Sequence, residues 1–110
     1  MKIEWLYEAQ VEYRELLSYH KNKVGPASAR RFSERILGTV KHLAQFPEMG
    51  ICKEERLLGR YGFRALFIDK YVCIYRIDGQ TVYIYHLADA RTNYLYHIFG
   101  IEPSGPEDET

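Results

Sequence analysis

Residues 61–93, YGFRALFIDKYVCIYRIDGQTVYIYHLADARTN, constrain this chain more than any other stretch, because they alternate like strands and are broken twice by two-residue turns. Asp78-Gly79 falls between two β-rich runs, residues 71–77 and 81–87. Glycine tolerates the positive φ that a tight type I′ turn demands, so the pair predicts a hairpin. Asp69-Lys70 is a second short turn, joining the hairpin to residues 62–68. There Arg64, Leu66 and Ile68 alternate with Phe63, Ala65 and Phe67 at the two-residue period of a strand. The expected unit is a three-stranded antiparallel meander.

Upstream of the meander the period changes. Residues 3–6 suit a short strand, and then Ala9, Tyr13, Leu16 and His20 fall on one helical stripe with Leu17 beside it, while Glu8, Glu12 and Glu15 face outward. Gly25 offers a cap, and Pro26 suits the first turn of a second helix, where its missing N–H has no helical partner. That helix is expected over residues 26–45, with Ala29, Phe32, Ile36, Val40 and Leu43 three and four apart and Arg30, Arg31, Glu34, Arg35 and Lys41 on its other faces. Phe46-Pro47 stops it. Residues 48–60 form a polar loop with Gly50 and Gly59, and residues 93–99 admit a short closing helix. The fold expected is a two-layer α+β domain: an N-terminal strand, a helical hairpin, then the meander, with the helices on one face of an antiparallel sheet.

At 110 residues the chain is long enough for one core and too short for two. Its ten tyrosines concentrate in or beside the predicted strands, where a ring covers a pleated surface and leaves a hydroxyl for a partner. Net charge is zero, but Glu102, Glu107, Asp108 and Glu109 leave 15 basic against 11 acidic residues over positions 1–100. This mild excess permits a nucleic-acid or acidic-protein surface without requiring one. Residues 1–100 are expected to be the domain and 101–110, with Pro103, Gly105 and Pro106, an acidic flexible tail. Cys52 and Cys73 fall in different contexts, and His20, His42, His86 and His97 are scattered, so neither a metal nor a cofactor is expected. With no apolar run long enough to span a bilayer, the expected location is the reducing cytoplasm, without a membrane partner.

Several residue groups occur in an order that resembles the RelE/ParE superfamily of toxins from bacterial type II toxin–antitoxin systems. They are Trp5 and Ala9 at the entry to the first helix, Phe46-Pro47-Glu48-Met49-Gly50 after the second, Arg64 on the second strand, the run from Tyr71 to Ile77 on the third, and Asp89-Ala90-Arg91-Thr92-Asn93 after the fourth. The resemblance covers residues 3–94. It implies a cognate antitoxin whose extended or helical segment wraps the toxin, burying grooves along the helix hairpin and adding to the sheet edge. Members resembling RelE cut ribosome-bound messenger RNA with basic sheet residues and a terminal tyrosine or histidine. For that chemistry Arg64, Arg91, Tyr94 and His97 are the candidates here, and Lys53 is the only lysine in the loop where RelE carries a pair. Members resembling ParE stall DNA gyrase on cleaved DNA. The Arg76-Ile77-Asp78-Gly79 hairpin and the Asp89-x-Arg91-x-Asn93 end look closer to that branch. The favoured expectation is therefore a ParE-like toxin with Arg64, Arg91 and Asn93 contacting the target, no small-molecule substrate and no chemistry of its own. The alternatives are the ribosome-dependent endoribonuclease and a non-toxic orphan binding module.

Each candidate also has a plainer structural role. Arg64 sits in an apolar alternating segment and is expected to pair with Asp69, Asp89 or a loop glutamate if it is structural, an exposed pair contributing about 0–1 kcal/mol. Arg91 follows a strand end, where binding groups collect on loops held by a rigid scaffold. Arg76 reads as a solvated hairpin residue, His86 as a hydrogen-bonded strand residue, and Trp5 as a core anchor. Tyr83 and Tyr85 share a strand face on which a nucleobase would stack, although sheet packing is the simpler role.

Overall fold

A computed structural model describes residues 1–52 and 57–100. The expected acidic tail over residues 101–110, Lys53 and part of the loop expected over residues 48–60 lie outside the described residues. The elements are β1 (Lys2–Trp5), α1 (Tyr7–Lys23), α2 (Pro26–Lys41) with a 3₁₀ turn (His42–Ala44), α3 (Leu57–Arg60), β2 (Phe63–Ile68), β3 (Tyr71–Asp78), β4 (Thr81–Asp89) and α4 (Tyr94–Phe99). This is the expected α+β order, closing helix included, except that residues 57–60 of the expected loop form the single helical turn α3. The second helix is shorter than the expected span because its last turn tightens to 3₁₀ geometry before Pro47.

The sheet runs β1-β4-β3-β2. The meander is antiparallel throughout, whereas β1 lies parallel to β4, with Lys2 opposite Thr81 and Trp5 opposite Ile84. The sheet is therefore mixed rather than wholly antiparallel. Among the described residues three helices, a 3₁₀ turn and two strands lie between β1 and β4, and a connection of that length can return a strand in the same direction. The hairpin turn also differs from expectation: Asp78 pairs with Thr81, so the loop residues are Gly79 and Gln80. Gly79 has φ 62, while among the described non-glycine residues only Asp69, at φ 54, is positive. A positive φ confined to the first loop residue is the type II′ pattern, not type I′.

The core lies between the helical hairpin and one sheet face. Ile36 and Leu43 from the helical side meet Tyr75, Ile84 and Leu87 from the strands, all at most 1% exposed. Burying one such aliphatic side chain contributes about 1.5–3 kcal/mol. On the opposite face Val72 and Ile74 are also fully buried. On that face α4 places its Phe99 ring 5.6 Å from Phe63 and 5.5 Å from His86.

Beyond Ile84 strand β4 has no β1 beside it, and α1 takes over. Glu12 accepts the Leu87 N–H at 2.9 Å and touches His86 Nδ1 at 3.1 Å. Glu12 was expected to face water; it turns inward because an unpaired strand N–H needs an acceptor. The register slips between Ile74 and Tyr75, whose partners are His86 and Ile84. Tyr85 is the extra residue of this bulge and packs edge-on against Phe63 at 5.0 Å.

Candidate target-binding surface

Arg64 shares its strand face with Leu66 and Ile68, so it points to the helix side of the sheet at the β2 edge. Its Nη1 donates to the Gly50 carbonyl at 3.0 Å and lies 3.5 Å from the Glu48 carbonyl. Neither Asp69 nor Asp89 nor a glutamate carboxylate is its partner among the described residues. Asp69 binds Arg35 instead, at 3.0 Å.

Beside Arg64, the fully buried Tyr75 fixes the same loop. Its hydroxyl donates to Pro47 O at 2.7 Å and accepts the Gly50 N–H at 2.8 Å. Burial pushes the phenol pKa up, while the Gly50 amide and Arg64 oppose that rise. A Cβ at position 50 would sit 2.8 Å from the tyrosine ring, so glycine is required there by space. Sequence reasoning missed this clamp. The one hint was a glycine three residues after Pro47 without a turn to justify it.

Arg91 sits past the end of β4. Its backbone N–H and Nε both reach Asp89 Oδ1, at 2.9 and 3.0 Å, and Nη2 reaches Oδ2 at 2.8 Å. These bonds hold the Asp89 carboxyl down to about 2 and raise the guanidinium pKa. Arg91 remains 67% exposed, so its outer edge still faces solvent. Asn93, also exposed, precedes α4, which carries Tyr94 and the exposed His97. Tyr94 and His97 line one hollow with Glu12 and Glu15 of α1, away from Arg64.

Arg64 and Arg91 are not brought together. Arg64 pairs with Tyr75 and Asp89 with Tyr71, which separates the two strand positions by about 13 Å along the strands and about 10 Å across them. Arg76 is exposed, as expected, and its guanidinium lies 5.4 Å from the centre of the Phe63 ring.

At the Arg91 end of the sheet the helices leave an open groove of about 780 Å³. Its floor holds a chain that sequence reasoning read only as an apolar stripe: His20 Nε2 meets the Tyr71 hydroxyl at 2.6 Å, and His20 Nδ1 meets the Ser28 hydroxyl at 2.8 Å. Burial lowers the His20 pKa, helped by the nearby charges of Lys70 and Arg31. The chain ties α1, α2 and β3 together, and Arg31, Arg35 and Lys70 line the groove above it.

These elements make a two-layer α+β domain, a helical hairpin over a four-stranded mixed sheet, with one arginine at a sheet edge and one past a strand end. The family described as "ParE toxin of type II toxin-antitoxin system, parDE" matches residues 3–94, and the chain belongs to that family. Its fold is similar to a solved chain of the chromosomal ParDE TA system from P. aeruginosa, with a TM-score of 0.70 and 19% identity over 83% of this chain and 97% of that one. No curated protein matches it in sequence. The protein is thus a ParE-family toxin of a type II toxin–antitoxin system, a class that implies an antitoxin partner. Among the described residues no helix is long and apolar enough to cross a membrane.

Proposed function

We propose that this toxin arrests growth by binding DNA gyrase in the cytoplasm, that a cognate antitoxin neutralises it, and that it acts without metal, cofactor or small-molecule substrate. The observation that carries the reading is the state of its two arginines. Arg64 is committed to loop carbonyls and Arg91 to Asp89, each held in its own place, one at the β2 edge and the other past the end of β4. Stabilising charge on a cleaving phosphodiester calls for convergent cations and a nearby proton donor. Binding a large surface calls only for ordered, partly exposed groups such as Arg91 and Asn93.

The test uses purified toxin. Wild-type protein is expected to block gyrase supercoiling and to leave ribosome-bound message intact. Arg91→Ala is expected to raise the concentration needed by about tenfold, the scale of ~1.4 kcal/mol at a contact. Cleaved message with unchanged supercoiling would reverse the assignment in favour of the endoribonuclease.

A further inference from the structure

The tip of the helical hairpin and the ends of the strands meet at one pole of the domain, made of residues 20–35, 69–70 and 89–91. His20 bonds to Ser28 at 2.8 Å and to Tyr71 at 2.6 Å, and the Ala90 N–H donates to the Lys70 carbonyl at 2.7 Å, so these segments are neighbours. Each brings exposed bases. Lys21 and Lys23 lie on the last turn of α1, and Arg30, Arg31 and Arg35 on α2. Lys70 adds a charge from the β2–β3 turn and Arg91 one from beyond β4. Against these seven bases stand three acids, Glu34, Asp69 and Asp89. The other eight bases of positions 1–100 are matched by eight acids, so the whole basic excess of the domain collects at this pole. Asp69 is spent on Arg35 and Asp89 on Arg91, while Lys21, Lys23, Arg30, Arg31 and Lys70 form no ion pair among the described residues.

Stability of the fold does not account for this placement. Lys21 and Lys23 suit the negative end of the α1 dipole, but Arg30 and Arg31 lie toward the positive end of α2, whose first turn holds no acid. We propose that this pole binds the phosphate backbone of duplex DNA, so that the toxin touches the DNA its target holds as well as the target itself. The inference rests on the gyrase reading for the presence of that DNA and on charge complementarity for the contact. A protein-binding face is built round an apolar centre and is poor in lysine. Here three of the seven bases are lysines, and along residues 19–31 the large exposed apolar side chains are Tyr19 and Val24, five positions apart and on different sides of the helix. Long cationic side chains from separate segments, without a shared apolar centre, suit a polyanion that offers phosphates at many points. Such contacts carry no sequence information, so they add affinity at whatever site the target occupies.

The experiment titrates full-length toxin onto a short fluorescent duplex between about 50 and 200 mM salt. Two variants carry the same change in net charge on exposed side chains: K21Q/K23Q/R30Q at the pole and R14Q/K41Q/R60Q elsewhere. Wild type is expected to bind with an affinity that falls steeply as salt rises. The pole variant is expected to bind about tenfold more weakly at the lower salt, with a log–log salt slope smaller by about 2–3, and the other variant to stay within about twofold of wild type. The pole variant is also expected to need more protein to block supercoiling, with an unchanged thermal midpoint and an affinity for purified antitoxin within about threefold of wild type. Wild-type protein that does not bind the duplex, or two variants that lose affinity equally, overturns the proposal. A pole variant that keeps its DNA affinity and loses antitoxin affinity assigns the pole to an acidic protein and overturns it as well. Unchanged inhibition by a pole variant that has lost the duplex overturns the contact at the target. The gyrase reading fails separately: wild-type protein that leaves supercoiling untouched removes gyrase, and the duplex titration still decides whether the pole binds DNA.

Discussion

The carboxylate of Asp89 accepts three N–H groups from Arg91, and because those bonds favour the charged form its pKa falls to about 2. A carboxyl depressed on folding contributes stability that is fully present above its unfolded value near 3.9 and is lost as pH falls toward 2. Thermal midpoints of wild type should therefore drop more steeply between about pH 4 and pH 2 than those of Asp89→Asn; parallel curves would show that the pair carries no such linkage. His20 titrates in the same sense in a different window. Its folded pKa is lowered by burial and by Lys70 and Arg31, so its contribution is present above about 6.5 and declines as pH falls below it. The partners of these residues were unequally legible in the sequence. Asp89 closes β4 and Arg91 follows two residues later, near enough for a local pair to be legible, although Asp89 was expected only among the partners of Arg64. Arg64 binds backbone carbonyls, and a carbonyl has no letter in the sequence.

Element by element, legibility followed periodicity. The meander and the helical hairpin were readable because alternation and three-four spacing report which face is buried, and those faces are the observed core. The parallel seating of β1 was not, since four residues cannot encode a direction. Nor was the inward turn of Glu12, which follows from where β1 stops and not from the helical pattern of α1. That carboxylate substitutes for a missing strand at Leu87. Glu12→Ala leaves a part-buried N–H without its acceptor and should destabilise the protein by about 1–3 kcal/mol, whereas Glu12→Gln keeps an acceptor and should cost less. Chemical denaturation of the two variants checks the order; equal losses would mean that charge on Glu12, beside His86, matters more than acceptance by its oxygen.

For the whole molecule, the closure of the fold depends on joining its first residues to its last strand. Lys2 N–H donates to Gln80 O at 3.1 Å and Leu6 N–H to Ile84 O at 3.0 Å, while the terminal ammonium reaches Ala44 O at 2.8 Å. Trp5, the only tryptophan, sits in this seam and packs edge-on against Tyr13 at 5.8 Å. Strand β1 is short and lies at a sheet edge, yet Ile3 and Trp5 pack on the single core that the helices and β4 share. A strand tied to its neighbours by that core should not open alone, because separating it exposes apolar surface on both sides. Unfolding followed by Trp5 fluorescence and by far-ultraviolet circular dichroism is expected to give one coincident transition. A fluorescence change at lower denaturant would mean that the β1–β4 seam opens first, leaving the hairpin and meander standing and β4 with an exposed edge at which a partner strand could add.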